Sequence, residues 1–333
     1  MRALNTPRRL RRCLQLVGAS WLALLPGACS FQSEPLKVPV SNWPGYEYMF
    51  LASKLGLDRQ QGLQIDPVQY PDPQSIVHAY LRGDLPMAQL TTVEAVDICA
   101  RIPRRCPTVV LVLDESLGGD QVAVRREVPS IAALRGKTVA VTFSTLGPYV
   151  LSRALQRNGL KFADVSVRNM PLAEMPQALA NGEVQAAAFF PPFSELAARS
   201  GTTRVLFDSS QIPGEIFDVL AVDPTYLRDH EDQITRLIRA WQAAHQAAQK
   251  NRSKAVVVMA AREGLAPMEF EQAEKGLRYF PLREQQALLR SGGPLAANLR
   301  GVQKVQHDLG LSVAGAPLPR TTAAYVTRAL QPR

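Results

Sequence analysis

Histidine and cysteine, the usual currency of metal and nucleophile chemistry, are scarce in this chain. Four histidines occur (His78, His230, His245, His307), widely dispersed and none at ligand spacing from a cysteine, so no metal site is expected. The sequence has no G-x-S-x-G elbow, no H-E-x-x-H pair and no P-loop, which removes the common hydrolase and nucleotide-hydrolysing signatures. Charge of one sign is not concentrated either. The formal net charge is +9, but five arginines fall within the first 29 residues, which hold no acid, leaving about +4 for the rest. Those remaining basic residues are scattered without an aromatic-interleaved stripe, so no nucleic-acid partner is expected. Beyond residue 25 no apolar run approaches the ~18 residues needed to span a bilayer. There is no repeat of fixed period and no low-complexity tract.

What is present begins with an export segment. Arg2, Arg8, Arg9, Arg11 and Arg12 precede an apolar stretch from Leu14 to Leu25, followed by PGACS. A basic, an apolar and a small-residue region in that order form a secretory signal. Cys29 after Gly27-Ala28 resembles the lipobox of bacterial lipoproteins, whose cysteine is lipidated and becomes the first mature residue. Pro26 departs from that pattern, and cleavage nearby without lipid is the alternative. The expected location is periplasmic or extracytoplasmic, with Cys29 as a membrane anchor. Cys99 and Cys106 bracket a short loop, CARIPRRC. In an oxidising compartment they are expected to form a disulfide, worth about 2–3 kcal/mol by chain entropy.

Strand and helix patterns alternate through the mature chain, from LKVPVS and MFLASKLGL to the apolar strand TVVLVLD. The plan restarts at QVAVRR and closes with the strand IFDVLAV, after which almost everything reads as helix. This is an α/β pattern, and its length favours two lobes enclosing a cleft. The chain is expected to cross between lobes near residues 114–121 and to return near 213–221. The stretch 137–160 stands at the centre of the second block: an apolar strand, a turn carrying Ser144 and Thr145, and a helix opened by Pro148. Such a turn suits an anion through free N–H groups, the helix dipole and two hydroxyl donors. Alternatively, Ser144 or Thr145 merely caps the helix.

Several of these stretches resemble one family. NWPGYEYMFLASKLGL, GLQIDPVQYPDPQSIVHAYLRGDLPMAQLTT, DESLGGDQVAVR, LRGKTVAVTFSTLGPYVLSRALQRNGL and DSSQIPGEIFDVLAV are similar, in order and spacing, to segments of the periplasmic substrate-binding proteins of ABC importers. The group in question binds nitrate, sulfonates or taurine and includes thiamine-precursor binders. FFPPFSELA departs from the tryptophan-acid-proline string frequent there, which affects ligand identity more than fold.

The resemblance implies a type II-like periplasmic-binding-protein fold: two doubly wound sheets joined by two crossing strands, with a helical C-terminal tail. Residues 1–29 would be the export signal and 30–36 a tether. Residues 37–116 with 218–333 would form one lobe and 117–217 the other. It implies a cleft lined by Trp43 and Tyr46 after the first strand and by Thr91 and Thr92 after the third. Ser144 and Thr145 would line it from the second lobe, with Phe190 and Pro192 after a later strand. Asp114, Asp120 and Asp218 fall at the crossings, where they either pair with an amine on a zwitterionic ligand or cap turns and face water. Trp241 reads as packing on a helix face. The implied function is capture of a small organic anion or zwitterion by a monomer that delivers it to an inner-membrane ABC permease, without cofactor or catalysis. The alternatives are a thiamine-pyrimidine precursor binder or synthase-like enzyme on the same scaffold, and a ligand-sensing lobe for a signalling partner.

Overall fold

A computed structural model describes residues 34–313 and 315–332; the export segment, with Cys29, lies outside them. Ten strands of four or more residues form the framework. β1 (Leu36–Val40) and β2 (Ile65–Gln69) pair in parallel. β3 (Met87–Thr91) and β4 (Thr108–Ser116) belong to a second group. β5 (Gln121–Arg125), β6 (Thr138–Val141), β7 (Ser166–Asn169), β8 (Ala186–Phe189) and β9 (Thr203–Asp208) build a separate sheet in the order β7-β6-β8-β5-β9. β10 (Phe217–Val222) then returns to the earlier group and inserts between β3 and β4.

Both larger sheets are mixed. β10 runs antiparallel to β3 and to β4, and β5 runs antiparallel to β8 and β9, while β6 is parallel to β7 and β8. The antiparallel strands are those on which the chain changes sheet. It leaves the first at Ser116 and enters the second at Gln121, leaves again at Asp208 and re-enters at Phe217.

Local sequence explains most elements. All nine residues of β4 are buried, as expected of a strand written as one apolar, β-branched run and covered on both faces. The Pro73–Arg82 helix starts where Asp72 accepts from the Ser75 N–H and stops at Gly83, whose φ of 91° lies in the left-handed region. In the Gly147–Arg157 helix, Val150, Leu151, Ala154 and Leu155 form the buried face and Pro148 occupies the first turn. Cys99, in the Thr92–Arg101 helix, is joined to Cys106 with their Cα atoms 4.2 Å apart.

The C-terminal region is helical but for two exceptions. β11 (Leu277–Arg278) and β12 (Arg320–Thr321) both pair with β4. Two residues carry no readable period, so their strand character comes from the edge they cover. Trp241 is fully buried on the twenty-residue Glu231–Lys250 helix, which packs on the Glu47–Lys54 and Ala324–Leu330 helices. Each large side chain buried this way contributes roughly 1.5–3 kcal/mol. Among the described residues no helix is long and apolar enough to cross a membrane.

Candidate functional site

The site begins as a row across one sheet. Strand register places Asp218 of β10 beside Thr91 of β3 on one side and Asp114 of β4 on the other. Above this row the turn after β1 folds back. Trp43 Nε1 donates to Asp114 Oδ2 at 3.3 Å, and the Tyr46 hydroxyl donates to Asp218 Oδ1 at 2.5 Å. Gly45 permits this approach: a Cβ there would sit 1.7 Å from Asp114 Oδ2. Glu94 joins from the Thr92–Arg101 helix in a capping box, its Oε2 accepting from the Thr91 N–H at 2.8 Å.

The facing wall comes from the second sheet. Asp120 ends the link from β4, with its N–H donating to Ser116 Oγ at 3.2 Å; Ser116 and Ser209 share a hydrogen bond of 2.8 Å. Gln121 pairs with Phe189, so Asp120 and Phe190 emerge together at adjacent strand ends. Phe190 meets Trp43 edge-on, ring centroids 5.7 Å apart, closing the aromatic side of the cleft. Asp120, Phe190, Thr145, Leu146 and Gly147 line a narrow crevice, too tight for a water molecule, at the start of the Gly147–Arg157 helix. One oxygen of Asp120 and one of Asp218 are buried without a hydrogen-bond partner, as is the Thr92 hydroxyl.

The two sheets are held together at the rim. Gln74 Nε2 donates to the Phe143 carbonyl at 2.8 Å, and Arg101 donates to Ser144 Oγ at 2.7 Å. Further out, Arg199 reaches both carboxylate oxygens of Glu269, each at 2.7 Å.

Electrostatically the cleft is one-sided. Glu94, Asp114, Asp120 and Asp218 are each at most 2% exposed, and none takes part in an ion pair. Burial pushes Asp114 up to about 8, and Asp120 and Glu94 up to about 7. Asp218 is raised further, by burial and then by the charge of Asp114 beside it. Tyr46 is likewise held protonated by burial and by Asp218. A carboxyl out of water with no cation keeps its proton, because the charged form has lost its hydration. Asp114 and Asp218 together behave as a pair sharing a proton.

Of the residues singled out in the sequence, Trp43, Tyr46, Thr91, Asp120, Thr145, Phe190 and Asp218 come together around this cleft. Thr92 is buried next to Thr91. Pro192, after a cis Pro191–Pro192 bond, stands at the cap of the Phe193–Arg199 helix and does not line the crevice. The turn at 144–145 differs from its reading as a pair of free hydroxyl donors. Thr145 Oγ1 gives its proton to the Thr142 carbonyl at 2.7 Å, and Ser144, at a φ of 63°, turns its oxygen toward Arg101. Nor do Asp114, Asp120 and Asp218 cap turns facing water; all three are buried. Sequence reasoning missed Glu94, whose T-x-x-E spacing signals only a cap, and Gly45, whose role depends on the distant Asp114.

A wider groove of about 760 Å³ lies elsewhere, between the Gly147–Arg157 and Pro294–Asp308 helices. Arg153 there pairs with Glu215 and Lys304 with Asp308, while Lys161 and the unpartnered Oδ1 of Asn298 also line it.

Comparisons with known proteins place this geometry in context. A putative aliphatic sulfonates-binding protein of Escherichia coli (strain K12) is 24% identical over 77% of this chain and 81% of its own length. The taurine-binding periplasmic protein of the same strain is 24% identical over 53% of this chain and 55% of its own. The solved alkanesulfonate-binding protein SsuA from Xanthomonas axonopodis pv. citri, bound to MOPS, superposes with a TM-score of 0.70 at 17% identity, covering 89% of this chain and 98% of that one. The desulfurization enzyme DSZB does so with a TM-score of 0.64 at 18% identity, covering 89% and 99%. One architecture thus serves binding proteins and an enzyme, and at such identity the likeness establishes fold alone. The NMT1/THI5-like family matches residues 43–255, well over half of the chain and all of the cleft described above. This chain therefore belongs to the NMT1/THI5-like family, on the periplasmic-binding-protein fold.

Proposed function

We propose that the protein is the extracytoplasmic solute-binding component of an ABC import system. In this reading residues 37–116 with 218–333 form one lobe, residues 117–217 form the other, and a small organic solute is held between them. The observation that carries it is convergence: Trp43 meets Phe190 and Asp218 lies within electrostatic reach of Asp120 where Asp120, Thr145 and Phe190 line a narrow crevice between the sheets. The links at 117–120 and 209–216 are the hinge, and the rim contacts of Gln74, Arg101 and Arg199 latch the closed form. The relatives' names make sulfonates and taurine the first solutes to try. An anionic end would be received at the opening of the Gly147–Arg157 helix, with Arg101 beside it at Ser144. The protein would act as a monomer in the periplasm, anchored through Cys29, and hand its solute to an inner-membrane permease.

No chemical step belongs to this reading. The test is thermal unfolding of residues 30–333 against sulfonates, carboxylates, amino acids and pyrimidines, followed by mass spectrometry of the bound solute. A ligand at a hundred times its dissociation constant stabilises the native state by ~2.7 kcal/mol. Recovery of that solute unchanged supports the reading; consumption of the solute, or silence across the whole panel, overturns it.

A further inference from the structure

Resting on that solute-binding reading, we infer that the cleft recognises an organic cation, an ammonium or amidinium nitrogen, and takes it in by exchange for protons. The argument is geometric. Four carboxyl groups from four separate segments gather, with Glu94 on a helix, Asp114 on β4 and Asp120 on the link to β5 all within electrostatic reach of Asp218 on β10; of the four, Asp120 lines the crevice between the sheets. All are buried, and none has a lysine, arginine or histidine partner among the described residues. Asp120 lines the crevice and keeps one buried oxygen without a hydrogen-bond partner, while Asp218 beside it is engaged by Tyr46 and Asp114. Buried acids with no counterion are costly unless protonated or met by a cation from outside. The groups do not converge as a metal cage; among the described residues no set of three or more ligating side chains does. Phe190 lines the same crevice and meets Trp43 behind it, so the space beside Asp120 is partly apolar, which suits an organic cation better than a hydrated inorganic one.

The other titratable groups facing this cluster are consistent with exchange. Tyr46 bonds to Asp218, Glu274 lies within electrostatic reach of Asp114, and Asp97 lies near Glu94 and is itself met by Arg101 and, more weakly, by His78. A plain anion would add negative charge to a space already lined by acids. A cation would instead displace one or more of their protons.

Matched probes test this in the intact mature protein. Isothermal titration calorimetry would compare taurine with ethanesulfonate, and benzylamine with benzyl alcohol, at pH 6, 7 and 8. Each comparison would be run in two buffers of different ionisation enthalpy. The amine of each pair is expected to bind at least tenfold more tightly than its partner. Its affinity should rise about tenfold per pH unit between 6 and 7.5, with protons released into the buffer. Asp120→Asn and Asp218→Asn should each weaken the amine by tenfold or more while far-UV circular dichroism stays unchanged. Equal binding of ethanesulfonate and taurine, or affinity that falls as pH rises, overturns the inference. If all four probes are silent while another solute of the wider panel binds, this inference fails and the solute-binding reading stands.

Discussion

Two buried groups of acids in this molecule differ in one respect. Behind the cleft, Glu47 is fully buried but accepts from Arg262 at 2.6 and 2.7 Å, and Arg262 also donates to the Ser41 carbonyl. Glu274 accepts from the hydroxyls of Tyr48 and Tyr279 and is paired with Arg252. In the cleft, four equally buried carboxyls have neutral donors or nothing. Burial raises the proton affinity of Glu47 and of the cleft acids alike, but only at Glu47 does an arginine oppose it. The acids that tie the fold together bring their cations within the same chain. Those of the cleft await one from elsewhere.

The largest effect that separates the two groups should come from Arg262→Ala. It strands Glu47 and Glu263 without their shared cation, and a loss of roughly 3–5 kcal/mol is expected in urea unfolding. Asp114→Asn removes a carboxyl that has no cation and should leave stability equal or higher in the same assay. If both substitutions cost the same, the contrast between the regions is wrong.

The disulfide comes next. Cys99 lies in the helix that carries Glu94, and Cys99→Ser with Cys106→Ser should cost ~2–3 kcal/mol. Adding reductant to the parent protein should reproduce the shift in melting temperature, and no change in either would refute the bridge.

The smallest effect is a slope with pH. The cleft acids hold their protons more tightly folded than unfolded, where a carboxyl titrates near ~4. Their contribution to stability is therefore complete below ~4 and is lost as pH rises through about 7 and 8. Unliganded protein should melt lower at pH 8.5 than at pH 5.5, because the raised acids ionise within that window. Asp120→Asn should flatten that slope.

How far the site could be read depended on the range of the interaction concerned. Trp43, Tyr46 and Phe190 were placed by the resemblance, and at Trp43 the loop setting pointed the same way, since a tryptophan there is less often core. Asp114 and Asp218 were visible at the crossings, but facing water and facing each other look alike until β10 is placed against β4. Glu94 spelled a cap, and it is one; only the neighbouring strand ends add it to the cleft. The hydroxyls of Ser144 and Thr145 were read as donors, since nothing local reveals that the Thr142 carbonyl and Arg101 engage them.

By itself, then, the sequence determined the α/β alternation, the buried run of β4, the proline and glycine bounds of the helices and the helical tail. These follow from periodicity and backbone preference, which act over a few residues. Tertiary structure alone decided the mixed sheets, the two short strands on β4, the approach of Gly45 to Asp114 and the gathering of four acids without a cation. Those depend on strand register between segments as much as two hundred residues apart, and no local preference encodes such a pairing.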